Sequence, residues 1–198
     1  MTDVLLNVSD VRLRSRVNGP GLRSVVWVQG CTIRCPGCFN SHTHAHQTVH
    51  LLDPYALGRK LANVPDLDGI TISGGEPFEQ AEACAILAEP YRAGGRSVMV
   101  FSGYTCAQLR RAPLKAVKDL LAQIDILVAG PYVAELATDG HRWHASANQR
   151  LHALTGRGRE AIADSSITSP LVEIATDGRQ TTYTGFPSAA DRRWMENI

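Results

Sequence analysis

Four short apolar runs, at 24–29, 69–73, 97–102 and 124–129, most constrain what this chain can fold into. They are rich in Val and Ile, and two of them hardly alternate. Near-continuous apolar runs suit strands covered on both faces, as in a parallel sheet. Helical patterns lie between them. Asp53-Pro54 reads as an N-cap and first helical residue, after which Leu57, Leu61 and Val64 share a face. Cys84, Leu87, Ala88 and Tyr91 form a second apolar stripe, with Pro90 predicting a break or kink. Leu114, Val117, Leu120 and Leu121 form a third. The alternation predicts an α/β fold with a largely parallel sheet.

Each run is followed by glycine: Gly30, Gly74-Gly75, Gly103 and Gly130. In a parallel sheet these positions share the carboxyl edge, where ligands bind in open sheets and in barrels. A complete eight-stranded barrel takes about 250 residues. This chain has 198, so the expectation is a partial, open barrel. Residues 1–150 read as the core domain, and 151–198 as an appendage of the same domain. Within that appendage, 156–159 and 163–169 read as loop. Runs at 171–175 and 180–184 flank Asp177-Gly178 as a hairpin, and 188–198 suggests a short helix.

Composition excludes several classes. At 44% hydrophobic and 20% charged, the chain can bury a core. A net charge of +1 argues against a broad nucleic-acid footprint. No apolar run approaches the roughly 18 residues of a membrane span, and the N-terminus lacks a signal-peptide core. The expectation is a cytoplasmic protein with neither nucleic-acid nor membrane partners.

Three of the five cysteines, Cys31, Cys35 and Cys38, stand at C-x3-C-x2-C spacing directly after the first run. Clustered thiols in a cytosolic protein more often bind metal or do redox chemistry than form structural disulfides. A loop this tight can wrap three thiolates around one inorganic centre. Iron–sulfur clusters normally take four cysteines, so three would leave one iron open. A zinc site completed by His42, His44, His46 or His50 is the alternative on spacing alone. A disulfide with a spare thiol is a third. Cys84 reads as an inert core thiol, and Cys106 as a buried thiol with a redox role as the alternative. Asp125, inside an apolar run, calls for buried hydrogen bonds. Asn148 and Gln149 either line a groove or cap local structure.

The spacing followed by Phe39, with Gly74-Gly75-Glu76-Pro77 ending the second run, resembles the signature of the radical S-adenosylmethionine (SAM) superfamily. Asn18-Gly19-Pro20-Gly21-Leu22-Arg23 resembles the NGPG-x-R segment of glycyl-radical-enzyme activases. The segments at 35–40, 102–104, 128–132 and 143–149 resemble those of the anaerobic ribonucleotide reductase activases. The similarity runs over about residues 16–150. His144, Ala145, Ala147 and Ala129 depart from that pattern, and 151–198 has no counterpart in it.

The resemblance implies a 4Fe-4S cluster on Cys31, Cys35 and Cys38, with its fourth iron open to SAM. It implies SAM contacts from Gly37, Phe39, Gly74, Gly75, Glu76, Pro77, Ser102 and Tyr104, and no side-chain acid or base. Gly74 and Gly75 would let backbone approach the methionine group, where a side chain would block it. Plainer readings stand beside these. Glu76 would be a solvated carboxylate at a helix N-terminus, Phe39 core packing, and Ser102 with Tyr104 a capped helix start. The implied partners are a glycyl radical enzyme and a flavodoxin or ferredoxin electron donor. A radical SAM enzyme acting on a peptide or small metabolite is the sibling reading. A non-catalytic zinc- or cluster-binding module is the reading from another class.

Overall fold

The computed structural model describes residues 4–138, 143–163, 172–176 and 181–187. Its main sheet has seven strands in the order β3-β1-β2-β4-β5-β6-β7. The parallel centre consists of β2 (Arg23–Val28), β4 (Gly69–Gly74), β5 (Ser97–Ser102) and β6 (Ile126–Ala129). These are the four runs seen in the sequence. Antiparallel strands flank them: β1 (Leu6–Ser15) and then β3 (His50–Leu52) on one side, β7 (Arg150–Ala153) on the other. The sheet is open, with β3 and β7 as its edges.

Strand alternation divides the core. Val26, Val28, Val98, Val100, Leu127 and Ala129 face a layer of helices. That layer comprises α1 (Pro54–Ala62), α2 (Ala81–Ala93), α3 (Cys106–Arg111) and α4 (Lys115–Gln123). The opposite residues of β5 and β6, Met99, Ile126 and Val128, pack with Trp143 in a second cluster. That second face leads to the candidate site.

Local sequence explains most of the helices. The Asp53 carboxylate accepts from the Tyr55 and Ala56 N–H groups, and Pro54 opens α1 as expected. Thr105 and Gln108 form a capping box on α3. Cys84, Leu87, Ala88 and Tyr91 are all buried along α2. Pro90 lies inside that helix, which runs on to Ala93 instead of breaking. Val117 and Leu120 of the third stripe are buried, whereas Leu114 is exposed.

The C-terminal region differs from its reading in one place. Residues 156–159, read as loop, open helix α5 (Gly156–Ala163). The Thr155 hydroxyl accepts from the Gly158 N–H, and a Cβ on Gly158 would collide with the Asp125 carbonyl. Gly158 serves close packing here rather than a turn. The hairpin is present as β8 (Val172–Thr176) and β9 (Thr181–Gly185), paired antiparallel with Glu173 opposite Thr184. Its turn, most of 163–169 and the expected terminal helix lie outside the described residues. No helix among the described residues is long and apolar enough to cross a membrane.

Candidate iron–sulfur site

The site lies where β2, β4, β5 and β6 end. Cys31 stands three residues past the end of β2, and the loop after it closes on itself. The Gly30 and Cys31 N–H groups donate to the Thr43 and His44 carbonyls at 2.8 and 3.1 Å. Inside the loop the Cys38 N–H donates to the Cys35 carbonyl at 3.2 Å. Arg34 and Gly37 take positive φ, 49° and 73°, and these two residues turn the chain so tightly.

Cys31, Cys35 and Cys38 line a single cavity of about 470 Å³. All three are free thiols. Burial raises the pKa of Cys31 and Cys38, which holds their thiols protonated until a positive centre draws the thiolates out. No group of three His, Cys, Asp or Glu side chains among the described residues converges on a single metal ion.

The opposite wall is Gly74, Gly75 and Glu76. The glycines have a packing reason within the chain itself. A Cβ on Gly74, at φ 97°, would lie 2.6 Å from the Val28 backbone, and one on Gly75 would collide with the Gly30 carbonyl. The Gly75 and Glu76 N–H groups donate to the Val28 and Gly30 carbonyls at 2.7 and 2.9 Å. The segment is therefore welded to the end of β2, beside the cysteine loop.

Glu76 is 1% exposed, so it is not the solvated carboxylate considered above. It does cap a helical turn: its Oε1 accepts from the Phe78 N–H at 3.0 Å. The Ser102 hydroxyl donates to the same oxygen, and the Gly103 N–H to Oε2. One carboxylate thus ties the end of β4 to the end of β5. Burial pushes its pKa up to about 7 against those three donors.

Phe39, Ser102 and Gly103 also line the cavity. The Phe39 ring packs on Tyr132, with centroids 5.5 Å apart. Gly37 lies beside that same tyrosine. Pro77 is buried as the first residue of the turn after Glu76. Tyr104 packs against the helix-side core instead of the cavity. Of the eight residues expected near SAM, Phe39, Gly74, Gly75, Glu76 and Ser102 share the cavity with the cysteines.

Glu79 escaped the sequence reading. Glu79 accepts from the Thr32 N–H at 2.7 Å and from its hydroxyl, while its other oxygen meets His46 Nε2 at 2.8 Å. It clamps the start of the cysteine loop. His46 is therefore a partner of Glu79, whereas His42 and His44 line the cavity. Gln149 lines it too and ties the local chain together: its Nε2 donates to the Gly130 carbonyl, and its Oε1 accepts from the Ala145 and Ser146 N–H groups. The spacing of an acid three residues past Glu76 is the one signal that could have pointed to Glu79.

A family model for the 4Fe-4S single cluster domain matches residues 17–152. The chain belongs to this family. The anaerobic ribonucleoside-triphosphate reductase-activating protein of Vibrio cholerae is 33% identical over 147 residues, covering 70% of this chain and 92% of that protein. Its namesake in Escherichia coli strain K12 is 33% identical over 149 residues, with the same shares. The one in Enterobacteria phage T4 is 27% identical over 145 residues, 70% of this chain and 88% of that protein. This 4Fe-4S protein is thus a homologue of reductase-activating proteins, and its match to the domain ends before β8.

Proposed function

We propose that this 4Fe-4S protein is a radical SAM activase that prepares a glycyl radical enzyme, such as an anaerobic ribonucleotide reductase, by hydrogen abstraction from a glycine. The observation that carries the reading is the single cavity shared by three clustered thiols and the Gly74-Gly75-Glu76 wall. Three thiols with no fourth cysteine beside them suit a cluster with one iron left open. The open sheet is read as the partial barrel of that superfamily, with residues 1–150 as its core and 151–198 appended.

Cys31, Cys35 and Cys38 would hold the cluster, and Gly74, Gly75, Glu76, Phe39 and Ser102 would border SAM. The bound group supplies the electron and the radical chemistry; the protein supplies position and exclusion of water. This chain's own residues do that work through structure. Glu79 fixes the first turn of the cysteine loop. Glu76 holds the β4 and β5 ends at one spacing. The Phe39–Tyr132 pair closes an apolar flank of the cavity. A cytoplasmic flavodoxin or ferredoxin would deliver the electron.

The test is anaerobic. Protein reconstituted with iron and sulfide, given SAM and dithionite, should form 5′-deoxyadenosine, and Cys35→Ala should not. Deuterium from a glycine-labelled reductase should then appear in that product. Protein holding zinc without iron or sulfide would sink the reading. So would turnover on a small molecule with no transfer from any protein glycine.

A further inference from the structure

The hairpin lies beyond the matched domain, yet it is built into the site. Residues 181–187, all of β9 and the two after it, line the same cavity as the three cysteines. Alternate residues of that stretch dock on the domain. The Arg12 guanidinium donates to the Thr182 hydroxyl at 3.1 Å. The Asn18 Nδ2 donates to the Thr184 hydroxyl at 3.0 Å. The Phe186 ring packs on Phe101 at 5.8 Å between centroids. Between the last two docking residues stands Gly185, at φ 117°.

The docking is weak in kind. Within the described residues β9 pairs with β8 alone and joins no strand of the main sheet. Two buried polar atoms without hydrogen-bond partners, Trp143 Nε1 and Glu173 Oε2, accompany it. Trp143 shares its cluster with Phe186, and the other oxygen of Glu173 accepts from the Arg16 N–H at 2.7 Å. Each such orphan is a cost to the docked state. The contacts thus combine a specific side-chain pattern with a built-in penalty.

We propose that β9 is an internal occupant of the site for a partner's polypeptide, which an extended, glycine-bearing segment of that partner displaces. The inference rests on the activase reading for the partner's identity. The docking pattern states the chemistry recognised: hydroxyl side chains two residues apart, then a glycine, then an aromatic ring. Arg12, Asn18 and Phe101 are the specificity-determining residues. In the free protein the hairpin fills the cavity mouth and excludes poorly matched segments. Linked to the domain, it competes at an effective concentration of about millimolar.

The probe is a fluorescently tagged peptide of residues 181–187, titrated into the full-length, iron-free protein. Thr184→Val removes the bonds with Asn18 and leaves the domain's side of the cavity unchanged. The peptide should bind this variant about fivefold or more tighter than the wild type, the scale of one lost hydrogen bond. Adding Phe101→Ala should abolish that binding, while a far-UV spectrum matching wild type shows the fold retained. Equal affinity for both proteins, no binding to either, or binding that survives Phe101→Ala overturns the proposal. None of these results depends on SAM cleavage. Loss of 5′-deoxyadenosine formation in reconstituted wild type would instead strike the activase reading alone, leaving a peptide site without that partner.

Discussion

The Ser102 hydroxyl donates to the buried carboxylate of Glu76 at 3.0 Å, joining the ends of two adjacent parallel strands beneath the candidate cofactor cavity. Burial of that carboxylate, which outweighs the Ser102 bond, has a thermodynamic signature. The Glu76 pKa stands at about 7 in the folded chain against an ordinary 4.5. Between those values the folded state holds a proton that the unfolded state has lost, so stability falls as pH rises through that window. Urea denaturation between pH 4.5 and 8 should show this slope for the wild type. Glu76→Gln should flatten it: the variant's deficit, about 1–3 kcal/mol near pH 4.5 because an amide cannot accept at both ends, should shrink as pH rises past 7.

Gly75→Ala tests whether the glycine serves packing. Its Cβ would strike the backbone of Gly30, which cannot swing aside as a side chain can. A destabilisation of about 1–3 kcal/mol or more is expected by urea denaturation of the iron-free protein. A stability equal to wild type would return the glycine to the role of admitting SAM alone.

Arg23 is fully buried, with no acidic hydrogen-bond partner. Its guanidinium donates to Thr71 and Ser97 hydroxyls and to the Pro20, Ile70 and Ser97 carbonyls. Burial lowers its pKa to about 10, against help from Asp68. This one side chain fastens the 18–23 segment to β4 and β5. Arg23→Lys cannot reproduce the planar fork and should lose about 2–4 kcal/mol in thermal or urea unfolding. An unchanged midpoint would contradict this account.

Asp125 is buried and bound by the Val98 N–H, the Thr155 hydroxyl and Arg92. Burial pushes its pKa up, but those donors together leave it below the usual 3.8. Its stabilisation is present above the unfolded pKa and is lost as pH falls through the folded one. Asp125→Asn leaves Arg92 without its charge partner and should cost about 3–5 kcal/mol at pH 7. The deficit should shrink below pH 3.8, which acid titration of both proteins checks.

Glu79→Ala should loosen the cysteine loop without removing a ligand. Reconstituted variant should shed iron to a chelator severalfold faster than wild type, while the apo fold keeps its denaturation midpoint within about 1 kcal/mol. Equal release rates would show that the Thr32 and His46 contacts do not hold the loop.

Local chemistry was readable wherever it decided the outcome. Asp53-Pro54 starts a helix because a carboxylate accepts backbone donors two and three residues on. The four Val- and Ile-rich runs became the parallel centre because only a sheet covered on both faces buries such runs. Strands β1 and β7 were not legible, since their mixed, arginine-containing sequences, partly buried and partly exposed, gain their partners only from the edges they join. Helix α5 was read as loop because two glycines dominate it, and the reason for Gly158 lies in the Asp125 carbonyl 33 residues away in sequence.

The sequence by itself determined the α/β alternation, the glycine-tipped carboxyl edge and the three-thiol loop, because each is written in neighbouring residues. Only the tertiary structure decided that Glu76 is buried, that Glu79 grips the cysteine loop, and that β9 lies across the cavity. Those facts depend on desolvation and on contacts between segments up to 170 residues apart, as between Arg12 and Thr182. No local pattern of side chains encodes which distant donor will reach a carboxylate, or which strand will close a site.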